Sequence, residues 1–138
     1  MSASNTTEND IALYIFDSTA PAWASNGDFY IRLHSSDPGE AGTAVTNEIA
    51  YTGYTGVGGP AISRTTGFSI SGNTASNAAL VQFPLCSGGS ATATHFSICD
   101  TATGAGQIIV SGELSSPLSI SNGIQPQFNT GELDVVID

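Results

Sequence analysis

The sequence contains no lysine and only two arginines, Arg32 and Arg64, against twelve acidic residues, which gives a formal net charge of −10 at pH 7. Nucleic-acid affinity comes mainly from lysine and arginine on phosphate groups, and anionic membrane surfaces attract the same side chains. We therefore expect neither a nucleic acid nor a membrane among the partners of this protein.

Long apolar runs are missing as well. No run reaches the roughly 18 residues that a membrane helix needs. The first ten residues, MSASNTTEND, lack the basic start and apolar core of a secretion signal. We therefore expect synthesis and folding in a cytoplasm, where Cys86 and Cys99 are more readily buried thiols than a disulfide.

Helix-favouring charged residues are scarce, whereas serine, threonine, glycine and β-branched residues are abundant, which favours sheet. The 138 residues, 40% of them hydrophobic, suffice for one domain over residues 1–138 with its own core. From residue 68 onward, short strand-like segments alternate with Gly-, Asn- and Ser-rich turns. We therefore predict an all-β fold, an antiparallel and jelly-roll-like β-sandwich with a short N-terminal helix.

The N-terminal segment TTENDIALYIF favours that helix, beginning near residue 8 with Thr7, Asn9 or Asp10 as its cap. The apolar run over residues 11–16 is too continuous to show a helical face, so a strand there remains an alternative. Residues 1–10 are predicted to form an N-terminal arm.

The segment DFYIRLH alternates and predicts a strand with two distinct faces. One face carries Phe29, Ile31 and Leu33, and the other carries Tyr30, Arg32 and His34. Residues 44–51, AVTNEIAY, are predicted to form a short strand. Residues 52–64, TGYTGVGGPAISR, are predicted to be a flexible glycine-rich segment.

The segment THFSICDTATGAGQIIVSGEL, residues 94–114, concentrates residue types used in catalysis and metal binding. Alternation nevertheless places Phe96 and Ile98 on one face of a strand, and the side chains of His95, Ser97 and Cys99 on the other. DTATGAG has the composition of a turn in which Asp100 accepts backbone hydrogen bonds. We therefore predict a β-hairpin here.

Enzymatic and metal-binding interpretations find little support. The two histidines, His34 and His95, stand in neither a nucleophile elbow nor a cysteine-protease context. Asp37, Glu40 and Glu48 lie in or beside loops, where hard cations find oxygen ligands, but they lack the spacing of an EF-hand. GYTGVGG has no lysine to reach a phosphate. We predict no enzymatic activity and no catalytic, cofactor-binding or metal site.

The two arginines face twelve acids, so each should find a carboxylate. We hypothesise that at least one makes a fixed ion pair, with Glu48 as the candidate partner, that ties a loop to the sheet. The alternative is an exposed arginine in a loose surface pair that contributes little.

The absence of lysine also leaves sheet edges without their usual guards. Acids, loops, neighbouring copies, or prolines such as Pro117 and Pro126 must protect the edges instead. We expect neighbouring copies to contribute and the protein to form a stable oligomer.

The order of several segments resembles a family of small virion proteins of tailed bacteriophages. The resemblance rests on FYIRLHSSDPGEAGTAVTNE, Arg64, FP, THFSICDTATGAG, SGEL and the final FNTGELDVVID, and it covers essentially the whole chain. Two segments depart from the family pattern, YTGYTGVGGPAISR, which is stretched, and SGGSATA, which replaces a usual aromatic before Thr94. Both lie in predicted loops, where contacts with neighbours vary.

Members of this family are labelled tail-fibre proteins, and proteins of this kind also decorate capsids. The resemblance implies a β-sandwich with a structural role and without catalysis, and we expect synthesis in the host cytoplasm. Our main expectation is a capsid decoration or cement protein on the outer head surface, a homotrimer that bridges subunits of the major capsid protein. A tail or tail-fibre component is the alternative.

A carbohydrate-binding β-sandwich is a more remote alternative. Its sugar-stacking candidates are the aromatic residues Trp23, Tyr51 and Tyr54, which the core or an interface could equally use.

Overall fold

The structure, a computed structural model, describes residues 1–137 and is built from antiparallel strands and one α-helix. The helical elements are α1 (Asn5–Asp17) and a 3₁₀ helix (Ala22–Ser25). The strands are β1 (Ser2–Ala3), β2 (Asp28–His34), β3 (Ala61–Ser63), β4 (Phe68–Ser71), β5 (Thr74–Asn77), β6 (Val81–Gln82), β7 (Ser90–Cys99), β8 (Ile108–Ser121), β9 (Gln127–Phe128) and β10 (Asp134–Val136). The all-β sandwich with a short N-terminal helix that the sequence predicts is confirmed.

The strands form a five-stranded sheet of order β1-β8-β7-β2-β3, a three-stranded sheet β10-β5-β4 and a two-stranded sheet β6-β9. Every pairing between these strands is antiparallel. The two edge strands of the large sheet, β1 and β3, have two and three residues. Edges this short offer little backbone with which the strands of other chains could pair. Pro126, which was expected to protect an edge, is instead buried.

The main core lies between the large sheet and the two smaller ones. In β2 and β7, Ile31 pairs with Ile98 and Leu33 with Phe96, and all four are at most 5% exposed. Residues from the opposing side complete the core, among them Val81, Phe83, Leu133 and Val135. The alternation predicted for DFYIRLH therefore places its apolar face in the core.

The opposite face of β2 and β7 is also buried, although it carries polar side chains. Arg32 and His34 are at most 1% exposed because residues 35–60 and 100–107 fold over them. Ala44 NH donates to Gly106 O at 2.9 Å, and Ala44 packs with Cys99 and Ile108 in a second small core. The large sheet is thus covered on both faces.

The strand predicted over residues 44–51 is wrong. This segment forms turns, and Glu48 makes only an isolated bridge with His34. Thr46 NH donates to Thr43 O at 2.8 Å, and Asn47 adopts a left-handed conformation with φ of 56°. A turn followed by a left-handed residue cannot continue as an extended strand, so local hydrogen bonding overrides the apolar composition.

The glycine-rich segment packs its backbone directly against the sheet and the hairpin loop. A Cβ on Gly59 would lie 1.9 Å from Ile31 O, and one on Gly58 would lie 1.8 Å from Ala102 O. Only residues without a side chain allow such contact. Residues 58–59, predicted to be flexible, are therefore a packed part of the body.

The N-terminal helix begins earlier than the sequence suggests. Ser4 is its N-cap, with the Ser4 hydroxyl accepting from Thr7 NH at 3.2 Å, and none of the three predicted caps has that role. The strand alternative for residues 11–16 is wrong, because the helix continues to Asp17. The predicted arm, residues 1–10, contains β1 and the first turns of α1.

The predicted β-hairpin is confirmed as β7 and β8. In the connecting loop the Asp100 carboxylate accepts from Gln107 NH at 2.7 Å, and Asp100 NH donates to Gln107 O at 3.1 Å. Asp100 therefore fixes the loop as its sequence context predicts.

Candidate functional site

Arg32 lies at the centre of a buried polar network between β2 and the loop above it. Its Nε donates to Glu48 Oε1 at 2.7 Å, and its Nη2 contacts Glu48 Oε2 in the ion pair. Its Nη1 donates to Gly104 O at 2.8 Å, while the Tyr54 hydroxyl donates to Glu48 Oε1 at 2.7 Å. The hypothesis of an Arg32–Glu48 pair that ties a loop to the sheet is confirmed.

The charges in this network stabilise each other. Burial alone would lower the pKa of Arg32, but the hydrogen bond and charge of Glu48 outweigh burial, so the pKa is raised. Burial, followed by the hydrogen bond and charge of Glu48, raises the pKa of Tyr54 above its usual range. Arg32 therefore stays charged and Tyr54 stays protonated, so both can donate hydrogen bonds to the Glu48 carboxylate.

A chain of hydrogen bonds continues the polar face beside Arg32. His34 Nδ1 donates to Thr46 O at 2.8 Å, so His34 Nε2 accepts from the Ser97 hydroxyl at 2.7 Å. Ser97 Oγ and Cys99 Sγ lie 3.1 Å apart, and burial raises the pKa of Cys99 to about 11. A histidine bonded to a serine beside a cysteine resembles a base beside a nucleophile. His34, Ser97 and Cys99 are all 0% exposed, however, so a substrate cannot reach these side chains.

The buried imidazole makes stability depend on pH. Burial lowers the pKa of His34 below its ordinary value of 6.5, against the opposing hydrogen bond to Thr46. The unfolded chain consequently binds more protons than the folded one as the pH falls below about 6.5. We expect the free energy of unfolding to decrease between pH 7 and pH 5, by at most about 1.4 kcal/mol per pH unit from this residue.

Urea unfolding at pH 7.5, 6.5, 5.5 and 5.0 measures this effect, with His34→Gln as the control that cannot titrate. The difference in stability between the two proteins should shrink as the pH falls. Parallel pH profiles for the two proteins would contradict the assignment of the effect to His34.

Three of the other predicted candidates, His95, Asp37 and Glu40, line one open cleft of about 260 Å³ beside Glu113. His95 pairs across the sheet with Glu113 in register, and its Nδ1 lies 2.9 Å from Thr94 Oγ1. Asp37 accepts from Gly39 NH, and Glu40 accepts from the Ser2 hydroxyl. Within residues 1–137, no group of three or more His, Cys, Asp or Glu side chains has the geometry to hold a metal ion.

The cysteines are both buried free thiols, as the sequence predicts. The aromatic candidates for sugar stacking are mostly internal: Tyr51 is 3% exposed and Tyr54 is 2% exposed. Neither ring is accessible for stacking on a sugar in the single chain, and the two rings stack on each other with their centres 5.3 Å apart and their planes at 29°. Trp23 is half-buried and donates from Nε1 to Asp10 Oδ2 at 2.8 Å.

Arg64 holds the segment that follows the helix. Its Nη1 donates to the carbonyls of Trp23, Ala24 and Asn26 at 2.8–2.9 Å. Its guanidinium carbon lies 4.8 Å from the ring centre of Phe29. Within residues 1–137 the only salt bridge is that of Arg32, so Arg64 has no carboxylate partner there.

The most unusual surface is the second half of α1, residues 11–16, which we call the helix tip. It contains Ile11, Leu13, Tyr14, Ile15 and Phe16, and each of these side chains is exposed. Of the whole helix only Thr7 is buried. A helix that is apolar on all sides is normally covered by protein. Sequence patterning missed this surface because a continuous apolar run usually indicates burial in the chain's own core.

No helix within residues 1–137 has the length and hydropathy to cross a membrane.

The sequence matches one known family over nearly its whole length. The family model described as "Podophage GP4 fiber I protein gp80" matches residues 2–136. No curated protein matches the chain. The chain therefore belongs to the podophage GP4 fibre I protein gp80 family and is a structural virion protein of a tailed bacteriophage.

Proposed function

We propose that this protein is a structural subunit of the fibre apparatus of a phage tail. The family description names a fibre protein and so favours this position over the outer head surface that the sequence led us to expect. Capsid decoration becomes the competing outcome of the experiment below.

The observation that carries this proposal is the exposed helix tip. Phe16 is 86% exposed and Ile15 is 62% exposed, side by side on a helix. Soluble monomers rarely leave clustered apolar side chains in water, and such clusters mark contacts with other proteins. The exposed tip therefore supports a protein whose function is to bind a neighbouring protein in an assembly.

The burial of the reactive side chains supports a role without catalysis. His34, Ser97 and Cys99 bond to one another inside the fold, and Glu48 is occupied by Arg32 and Tyr54. These groups stabilise the loop that covers the large sheet. The polar network is thus structural, because it holds the covering loop on the large sheet.

The position in the virion is tested by fractionation. Purified virions are disrupted and separated into heads and tails, and the protein is quantified in each fraction by mass spectrometry. A protease that cleaves at acidic residues is required, because two arginines and no lysine give trypsin few sites. The major capsid protein and a tail-tube protein serve as markers for the fractions.

We expect the protein in the tail fraction, at a few to a few dozen copies per virion. Recovery with the heads at hundreds of copies would overturn the fibre assignment and favour capsid decoration.

A further inference from the structure

The helix tip is held rigidly at its base and projects from the body. The hydroxyls of Ser4 and Thr7 both donate to Ile108 O, which fixes the first turn of α1 to β8. Trp23 donates to Asp10, which ties the returning chain to the middle of the helix. Beyond this point the tip residues are exposed, from 38% at Leu13 to 86% at Phe16.

The same chain carries an open apolar groove of about 300 Å³ between the large sheet and the three-stranded sheet. Its lining, which defines the groove, includes Phe29, Phe68, Ile70, Ile98, Ile109 and Val135. Ile70 is 68% exposed although it lies on a strand beside the core. Arg64 lies at the edge of this groove.

We propose that the helix tip of one copy of this protein docks in the groove of a second copy. The proposal deepens the proposed function by naming a partner, a second copy of this chain. In one chain, residues 13–16 do not line the groove, so both apolar surfaces stay in water. In a pair of copies each surface covers the other.

The local charges favour contact between the tip and the groove, although the overall charges of two copies oppose it. Two copies with a net charge of −10 repel each other unless the contact brings opposite charges together. The helix tip is followed directly by Asp17, and the groove carries Arg64, which has no carboxylate partner within residues 1–137. We expect docking to bring the Asp17 carboxylate, which accepts from the Thr19 hydroxyl in the single chain, near the Arg64 guanidinium.

The area is that of a modest contact. The exposed apolar side chains of the helix tip present on the order of 600 Å² in total, but they surround the helix, so one groove covers only the side that faces it. A standard stable interface covers about 800 Å² on each partner. A single contact therefore buries less than that, and we expect association to depend on protein concentration.

The contact joins two different surfaces, and each copy offers one tip and one groove. Two copies can exchange tips about a two-fold axis, and otherwise repetition of the contact closes a ring or extends a fibre. This geometry makes a distinctive prediction, because two defective variants can complement each other.

The experiment uses purified protein and measures its mass in solution by sedimentation velocity at micromolar concentration. The wild-type protein should form oligomers, whereas Phe16→Gln and Ile70→Gln should each weaken association at least tenfold. Both residues are exposed, so neither variant should change the fold. Val57→Gln is the matched control, because Val57 is 62% exposed but belongs to neither surface, and it should assemble normally.

Mixing the two variants gives the sharpest result. The intact groove of Phe16→Gln accepts the intact tip of Ile70→Gln, so the mixture should form 1:1 dimers and nothing larger. Asp17→Asn should weaken the association and reduce its dependence on salt concentration.

Three outcomes would overturn the proposal. A monomeric wild-type protein would do so. If Phe16→Gln then also attached less to virions, the partner of the helix tip would be a different virion protein. Unchanged assembly of Ile70→Gln would show that tips pack against each other. Failure of the mixture to dimerise would exclude the contact between tip and groove. Fractionation of virions tests the fibre assignment separately, so the two failures are distinguishable.

Discussion

Replacing Arg32 with alanine should lower the free energy of unfolding by about 4 kcal/mol, because removing one partner of a buried ion pair leaves the other uncompensated. Glu48 would lose both contacts with the guanidinium, and Gly104 O would lose its donor. Urea unfolding at pH 7.5 measures the loss. Tyr54 still donates to Glu48, but one neutral donor cannot replace a bidentate cation.

Arg64→Ala is the matched control, since it removes the other cationic side chain of the sequence. Arg64 is only half-buried and bonds to backbone carbonyls near the surface, so we expect a loss of about 1–2 kcal/mol. The double variant Arg32→Met/Glu48→Met should recover part of the loss of Arg32→Ala, because it leaves no unpaired charge. Losses below 1 kcal/mol for Arg32→Ala would show that the pair contributes little.

Gly59→Ala should cost about 3 kcal/mol through a steric clash in a packed region. The added Cβ would lie 1.9 Å from Ile31 O and 3.1 Å from Cγ of Arg32. The φ angle of Gly59 is not in the left-handed region, so backbone strain does not add to the effect. The loop would have to lift from β2, which would also disturb the contact between Arg32 and Glu48. Thermal and urea unfolding measure the loss.

Gly27→Ala controls for the general effect of replacing a glycine. No atom lies within 4 Å of a Cβ built there, and its φ is also outside the left-handed region. We expect a change within about 0.5 kcal/mol, since alanine only restricts the unfolded chain. Similar losses for the two variants would contradict the close packing of the glycine-rich segment.

Much of the fold could be predicted from local patterns. The alternation in DFYIRLH places Ile31 and Leu33 in the core because the period of a strand is two residues. The hairpin around Asp100 follows from turn composition. The scarcity of cations predicts the Arg32–Glu48 pair, but the same expectation is wrong for Arg64, which donates to backbone carbonyls and has no carboxylate partner within residues 1–137.

Features that depend on distant contacts could not be predicted in this way. Both faces of β2 are buried because residues 35–60 fold back over it, and a polar alternation does not reveal that cover. The cap at Ser4 depends on the position of Ile108, which lies 104 residues away in the sequence. Tyr51 and Tyr54 could have been surface aromatics or core residues, and tertiary packing decides between the two.

The exposure of the helix tip also could not be predicted from the sequence. An apolar run such as residues 11–16 normally indicates the interior of its own chain. Here the run is exposed in the single chain, and we propose that a neighbouring protein chain covers it in the assembly. Phe16 is therefore informative only after the structure shows that nothing in its own chain covers it.

Cryo-electron microscopy of the intact virion tests most directly whether this protein works by burying its helix tip against a neighbour in the fibre. We expect the sandwich to lie in the tail fibre, with residues 11–16 enclosed by an adjacent protein chain. A sandwich on the head surface, or a fibre in which Phe16 faces solvent, would contradict the account.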